Sequence, residues 1–329
     1  MNRRRILQFA IGVGVASSAR PLLAQQAPAA SIRRVGVLAP STRAKEEVTL
    51  KPFFEEMRRL GWIEGQNIAY DRTYADDRHK DLPGLAAELV AHKPELIYAP
   101  PQIAAMAARQ ATQTIPIVFA TGVNPVAAGL VTSLARPGGN VTGVISVIDS
   151  LAPKRLELLR EILPAAKRIE LVGDSSDPRL TNDRTALVPV TSALGLTLIV
   201  REASDPVEFD AAVASLMEQR VDAILAVSSI SSNLRERLIE LTSRRRVPVV
   251  GSLTPVAEVG GLLSYSASIP DQLRRSAQMV DKVLKGAKPA DLAVEQPSKF
   301  ELVINLKAAR TLGLTVPPSL LQRADVVIQ

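Results

Sequence analysis

A chain of 329 residues, 47% of them apolar and none of them cysteine, can bury a sizeable core and forms no disulfide. Its net charge of +7 overstates any pull toward acidic partners, because Arg3, Arg4, Arg5 and Arg20 lie in an acid-free leader whose removal leaves +3. Aromatic residues make up 3% of the chain and no basic run is interleaved with rings, which argues against nucleic acid as a partner.

Arg3 to Arg5 form a charged start, Ile6 to Ala19 a modest apolar run broken by Gly12 and Gly14, and Pro21 to Ala24 the approach to small residues. That layout is expected of a cleaved export signal, residues 1–24, with a mature start between Gln25 and Ser31. The run is too short and too rich in glycine for a membrane span. Asn2 to Gln8 approximates a twin-arginine signal, with the general secretory route as the alternative. No cysteine follows the run, so the expected product is periplasmic and not lipidated.

From Arg34 onward, strand and helix patterns alternate. Strands are expected at 34–39, 67–74, 96–99, 115–119 and 141–146, and helices at 50–60, 82–92, 103–112 and 126–135. Gly61 should stop the first helix. This half is read as one parallel sheet covered on both faces. A second series gives strands at 168–173, 197–202, 223–227 and 247–251, with helices at 154–162, 181–194, 207–219 (capped by Asp205) and 233–243. A strand at 260–265, a long helix at 270–285 and a strand at 301–304 then pass between the halves. The predicted fold class is α/β: two similar Rossmann-like lobes with parallel sheets joined by a hinge. The N-terminal lobe is expected to comprise 32–148 plus 262–290, and the C-terminal lobe 151–260 plus 295–329.

In parallel sheets ligands bind beyond the carboxyl ends of the strands. Polar residues gather there: Ser41 and Thr42, Pro101 and Gln102, then Thr121, Gly122 and Asn124 in the first half. Asp174, Ser228, Ser229 and Thr254 do so in the second, with Tyr265 at the expected hinge. Turn and cap chemistry accounts for each of these singly about as well as ligand contact does; their collective placement favours a cleft. Catalytic sets are sparse. His79 and His92 are the only histidines and make a poor metal set without cysteine. No phosphate-loop or G-x-G-x-x-G pattern follows a strand. The expectation is therefore a binding protein, with no catalytic residues, no metal and no cofactor.

The segment 116–144, PIVFATGVNPVAAGLVTSLARPGGNVTGV, closely resembles a signature of the ABC transporter substrate-binding family that includes tryptophan- and tyrosine-binding lipoproteins. Gly61-Trp62-Ile63-Glu64-Gly65-Gln66-Asn67, Phe300 to Asn305 and Ala308 to Leu314 extend the likeness over essentially the whole mature chain. The resemblance implies a hinged type I periplasmic-binding fold and a monomer that captures a small organic ligand for a membrane permease with a separate ATPase. A sensing subunit for a receptor kinase is the alternative. Asn124 departs from the family, which commonly has Asp there, and Val227-Ser228-Ser229-Ile230 replaces an acid-bearing segment. The expected ligand is thus an aromatic amino acid or an aromatic or carboxylate-bearing compound. Asn305 and Gly313 are expected to start and stop a helix rather than bind anything.

Overall fold

The computed structural model describes residues 32–329 apart from 123, 147–149, 175–176, 204–207, 209–210, 212–219, 228–231 and 297. The expected leader, most of the expected helix at 207–219, Ser228 and Ser229 lie outside the described residues.

The first sheet contains β1 (Arg33–Ala39), β2 (Ile68–Tyr74), β3 (Leu96–Tyr98), β4 (Ile117–Thr121) and β5 (Val141–Ile145), in the order β2-β1-β3-β4-β5. All its pairings are parallel, as the sequence pattern predicts. One face packs on α3 (Leu82–Ala91) and α4 (Gln102–Ala111), the other on α2 (Lys51–Arg59). Gly36 faces α3, where an added Cβ would stand 2.9 Å from Leu89, so the helix sits directly on the strand backbone. A short α1 (Arg43–Thr49) precedes α2 and was not legible in the apolar pattern, since only Glu46 of its residues is buried.

The expected helix at 126–135 is corrected: turns occupy this segment. Gly129 (φ 69°) takes a left-handed conformation that interrupts any helix. Thr132 Oγ1 then donates to the carbonyls of Arg136 and Pro137 at 3.0 and 2.9 Å, closing a compact loop instead.

The second sheet runs β12-β11-β10-β9-β8-β6-β7, where β6 is Arg168–Gly173, β7 Thr197–Glu202, β8 Ala223–Ala226, β9 Val249–Gly251, β10 Leu263–Ala267, β11 Phe300–Asn305 and β12 Val326–Ile328. It is parallel except between β10 and β11. One face is covered by α5 (Ala152–Ile162), α6 (Pro178–Ala193) and the C-terminal helices α10 (Leu306–Leu312) and α11 (Pro318–Arg323). The other carries α7 (Ser232–Arg244) and α8 (Thr254–Glu258). Asn305 accepts from the Ala308 N–H at 2.8 Å and Gly313 (φ 71°) ends α10, as expected of a cap and a stop.

After β10 the chain returns to the first sheet as α9 (Ile269–Leu284), whose Leu273, Ala277, Val280 and Leu284 join Val35, Phe53 and Tyr98 in the first core. Pairing of β10 with β9 and β11 corrects the expected start of that return at residue 262: the strand is part of the second sheet and the crossing falls at Ser268. Ser268 caps α9, its N–H donates to the Lys299 carbonyl at 3.0 Å, and its hydroxyl donates to Glu301. Glu295 bridges Val144 at the edge of the first sheet and takes Arg275 at 2.8 Å, tying the last crossing down. Among the described residues no helix is long and apolar enough to cross a membrane.

Candidate functional site

The carboxyl ends of β4 and β5 and the loop after β6 come together. The Thr121 carbonyl accepts the Ser146 N–H at 2.8 Å, which places Ser146 beside Gly122. A Cβ built on Gly122 would lie 3.1 Å from Ser146 Oγ and 3.9 Å from Arg179 Nη1. Arg179 belongs to α6 of the second sheet, so its guanidinium reaches across to the edge of the first. Gly122 leaves the room for that approach.

Arg179 is fixed from its own side. Asp177, the N-cap of α6 and only 8% exposed, accepts the Arg179 backbone N–H at 2.9 Å. Its carboxylate also takes Arg179 Nε at 2.9 and 3.0 Å and Nη2 at 2.9 Å. The fork leaves Nη1 as the nitrogen turned toward Gly122. On the first lobe, Gln272 of α9 is buried and donates to the Thr121 carbonyl at 2.9 Å and the Val144 carbonyl at 3.2 Å. The helix returning from the second sheet therefore pins the strand ends that face Arg179.

The first crossing is held by a buried ion pair. Asp183 of α6 accepts from Ser150 at 2.6 Å and from Arg155 of α5 at 3.2 Å, with both charged residues 5% exposed. Burial pulls the Arg155 guanidinium down from its ordinary pKa, and Asp183 opposes that shift. Helix α6 thus carries both Arg179 and the anchor of the hinge.

The sequence-predicted residues divide. Thr121 and Gly122 lie at the point where the lobes meet. Ser41 donates to Asp77 at 2.9 Å and its N–H approaches Glu46 at 3.4 Å, while Thr42 starts α1. Burial pushes the Glu46 carboxyl up, and the Ser41 N–H partly offsets it. Pro101 precedes α4 and Gln102 opens it, its amide over Met106 sulfur at 3.8 Å. Asn124 is exposed, and its Oδ1 accepts the N–H groups of Val126 and Ala127 at 3.0 and 3.3 Å, a local cap. Asp174 follows β6, its carbonyl accepting the Asp177 N–H at 3.0 Å, and Thr254 opens α8.

Tyr265 is not brought to an open cleft wall. It stacks on Phe300 at 5.9 Å and packs against the second core. Sequence reasoning missed Ser146, Asp177, Arg179 and Gln272. One signal was available: an arginine at the second position of a helix stands at the positive end of the dipole, where acids are favoured. A depression of about 790 Å³ lies elsewhere, at the amino ends of the first sheet between Arg33, Trp62, Pro116 and Lys288. Ligands of open parallel sheets sit at the opposite edge, which makes Gly122 and Arg179 the candidate site. No metal-holding group of three or more acids or histidines occurs among the described residues.

Two α/β lobes, linked by several crossings and meeting at their strand ends, define a type I periplasmic-binding fold. An arabinose binding protein from Geobacillus stearothermophilus shares it, with a TM-score of 0.62 at 11% identity, covering 85% of this chain and 99% of its own. The chain belongs to the ABC transporter substrate binding protein family, whose profile matches residues 35–328. It is 25% identical over 264 residues to a tyrosine-binding protein from Clostridioides difficile (strain R20291), covering 80% of this chain and 76% of that protein. A domain from Streptococcus pneumonia solved in complex with L-Trp is 28% identical, with a TM-score of 0.79, covering 91% of this chain and all (100%) of its own.

Proposed function

We propose that this protein is the exported solute-capturing component of an ABC importer, held in the periplasm without a lipid anchor. Its lobes close on a small organic ligand and present the closed form to a membrane permease driven by a separate ATPase. The ligand is an aromatic amino acid, as in the tyrosine- and tryptophan-binding relatives, or an aromatic or carboxylate-bearing compound. The observation that carries this reading is the approach of Arg179 to Gly122 and Ser146 between the two strand edges. Such a site needs a few oriented polar groups and closure that excludes water; it needs no cofactor and no catalytic group.

Native mass spectrometry of protein purified from its own periplasm tests the reading. The expected result is an unlipidated chain starting between Gln25 and Ser31 that carries a small organic molecule. A chain still bearing Met1 to Ala24, or one with no affinity for organic solutes, overturns it. Scattering adds a check on the motion: the radius of gyration should fall on ligand addition.

A further inference from the structure

We propose that Arg179, held by Asp177 and facing Gly122 and Ser146, is the carboxylate-binding group of the cleft, so that the ligand is a small organic carboxylate. The inference rests on the cleft being the ligand site and adds the chemistry that the site selects.

Three observations converge on it. Arg179 is the second residue of the 16-residue α6, where a cation opposes the helix dipole. Lys51 and Lys307 stand likewise at the starts of α2 and α10, so the weight falls on the contacts of Arg179 at the cleft. Asp177 engages Nε and Nη2 together, which locks the guanidinium plane and removes its rotamer freedom before any ligand arrives. The nitrogen left facing the other lobe is Nη1, 3.9 Å from where a Gly122 Cβ would stand, and the Ser146 hydroxyl lies 3.1 Å from the same point. A guanidinium N–H and a hydroxyl that both approach the same face of Gly122 suit a carboxylate lying over that bare backbone, since its oxygens accept from both.

The arrangement also explains closure. Arg179 sits on the second lobe and Ser146 on the first, so a carboxylate bound by both bridges them. A neutral amide in the same place would offer one oxygen acceptor and turn its NH₂ donors toward the guanidinium. Such sites discriminate strongly, because the rejected analogue leaves a charged donor unpaired.

The test uses phenylacetate, indole-3-acetate, L-tryptophan and L-tyrosine, each beside its primary amide, measured by calorimetry against the mature protein. Wild type should hold at least one acid about tenfold to a hundredfold more tightly than its amide. R179Q should bring that ratio close to one while melting near the wild-type temperature. Arg179→Lys should recover part of the preference. Asp177→Asn, which keeps the helix cap but loosens the fork, should weaken it. Acid and amide binding alike, or a preference that survives in R179Q, overturns the carboxylate assignment and leaves the cleft reading standing. No affinity of wild type for any of the eight probes overturns both.

Discussion

Two buried glutamates, one in each lobe, show how differently the lobes treat charge. Glu56 of α2 gives both carboxylate oxygens to Arg59, at 2.7 and 2.6 Å, and takes a further N–H from Gln278 at 2.8 Å. Those donors hold its carboxyl down at about 2, with the Arg59 hydrogen bonds as the main cause. Glu170 of β6 is fully buried and, among the described residues, accepts one N–H, from Arg201 at 3.2 Å, leaving Oε2 and Arg201 Nη2 without partners there. Burial there outweighs the arginine and pushes the carboxyl up to about 7. A bidentate, fully satisfied pair settles a charge, whereas a single-point pair in a core leaves most of its desolvation uncompensated. The cleft divides the other way: the first lobe offers a hydroxyl and a bare backbone at Ser146 and Gly122, and the second offers the charged, multiply bonded Asp177–Arg179 fork.

The sharpest test of that asymmetry is the buried pair behind the hinge. Asp183→Ala strands Arg155 in the second lobe and should cost about 3–5 kcal/mol in urea unfolding. Asp183→Leu with Arg155→Met removes both charges and should come out near neutral. A loss below about 1 kcal/mol for Asp183→Ala would show that the pair is solvated and that the lobes do not differ in this way.

The neutral side has its own key residue. Gln272→Leu leaves the Thr121 and Val144 carbonyls without their side-chain donor, and about 1–3 kcal/mol of stability should go with it. Ligand affinity should fall too, since these carbonyls set the strand ends beside Gly122. Unchanged affinity in a destabilised variant would confine Gln272 to the fold.

The two glutamates predict opposite pH responses. Glu56 has a folded pKa below its ordinary 4.5, so its stabilisation is full above that value and fades as pH falls toward about 2. Glu170 has a folded pKa above 4.5, so the folded state loses stability as pH rises from there through about 7 and levels off beyond. Each contribution is on the order of 1–3 kcal/mol. Urea midpoints for Glu56→Gln should converge on wild type only as pH falls to about 2 and fall short of it above about pH 5. Glu170→Gln should remove the decline between about pH 5 and pH 8. A decline that persists in that variant assigns it to another group.

The fold was legible in the chain because most of its strands are apolar runs bounded by turn residues. Arg168–Gly173 and Thr197–Glu202 match the predicted spans, and long helices such as Ile269–Leu284 differ by a residue. What failed was local: Val126 to Ala135 has helical composition, yet Gly129 and the Thr132 hydroxyl make turns more favourable. The lobe boundary at residue 262 failed because one strand, β10, both completes the second sheet and leads the chain out of it. Half of the candidate site was legible. Strand ends announced Thr121 and Gly122, since sheet geometry puts ligands there. Arg179 and Gln272 gave no periodic signal, because their roles come from the tertiary approach of elements far apart in sequence.

The smallest expected effect concerns Asn124, which stands just beyond the end of β4. If its amide contributed to ligand selection, Asn124→Asp would replace a group that donates and accepts with one that only accepts, and would set a negative charge at the cleft mouth. The side chain instead spends its oxygen on the Val126 and Ala127 N–H groups while standing exposed. Aspartate presents the same oxygen at the same distance and caps about as well. Exposed to water, its added charge is screened from a carboxylate held at Arg179. Asn124→Asp should therefore leave both the melting temperature and the affinity for the co-purified ligand within about twofold of wild type by calorimetry. A tenfold or larger loss would return Asn124 to the ligand site and move the anion-selecting step from the second lobe to the first.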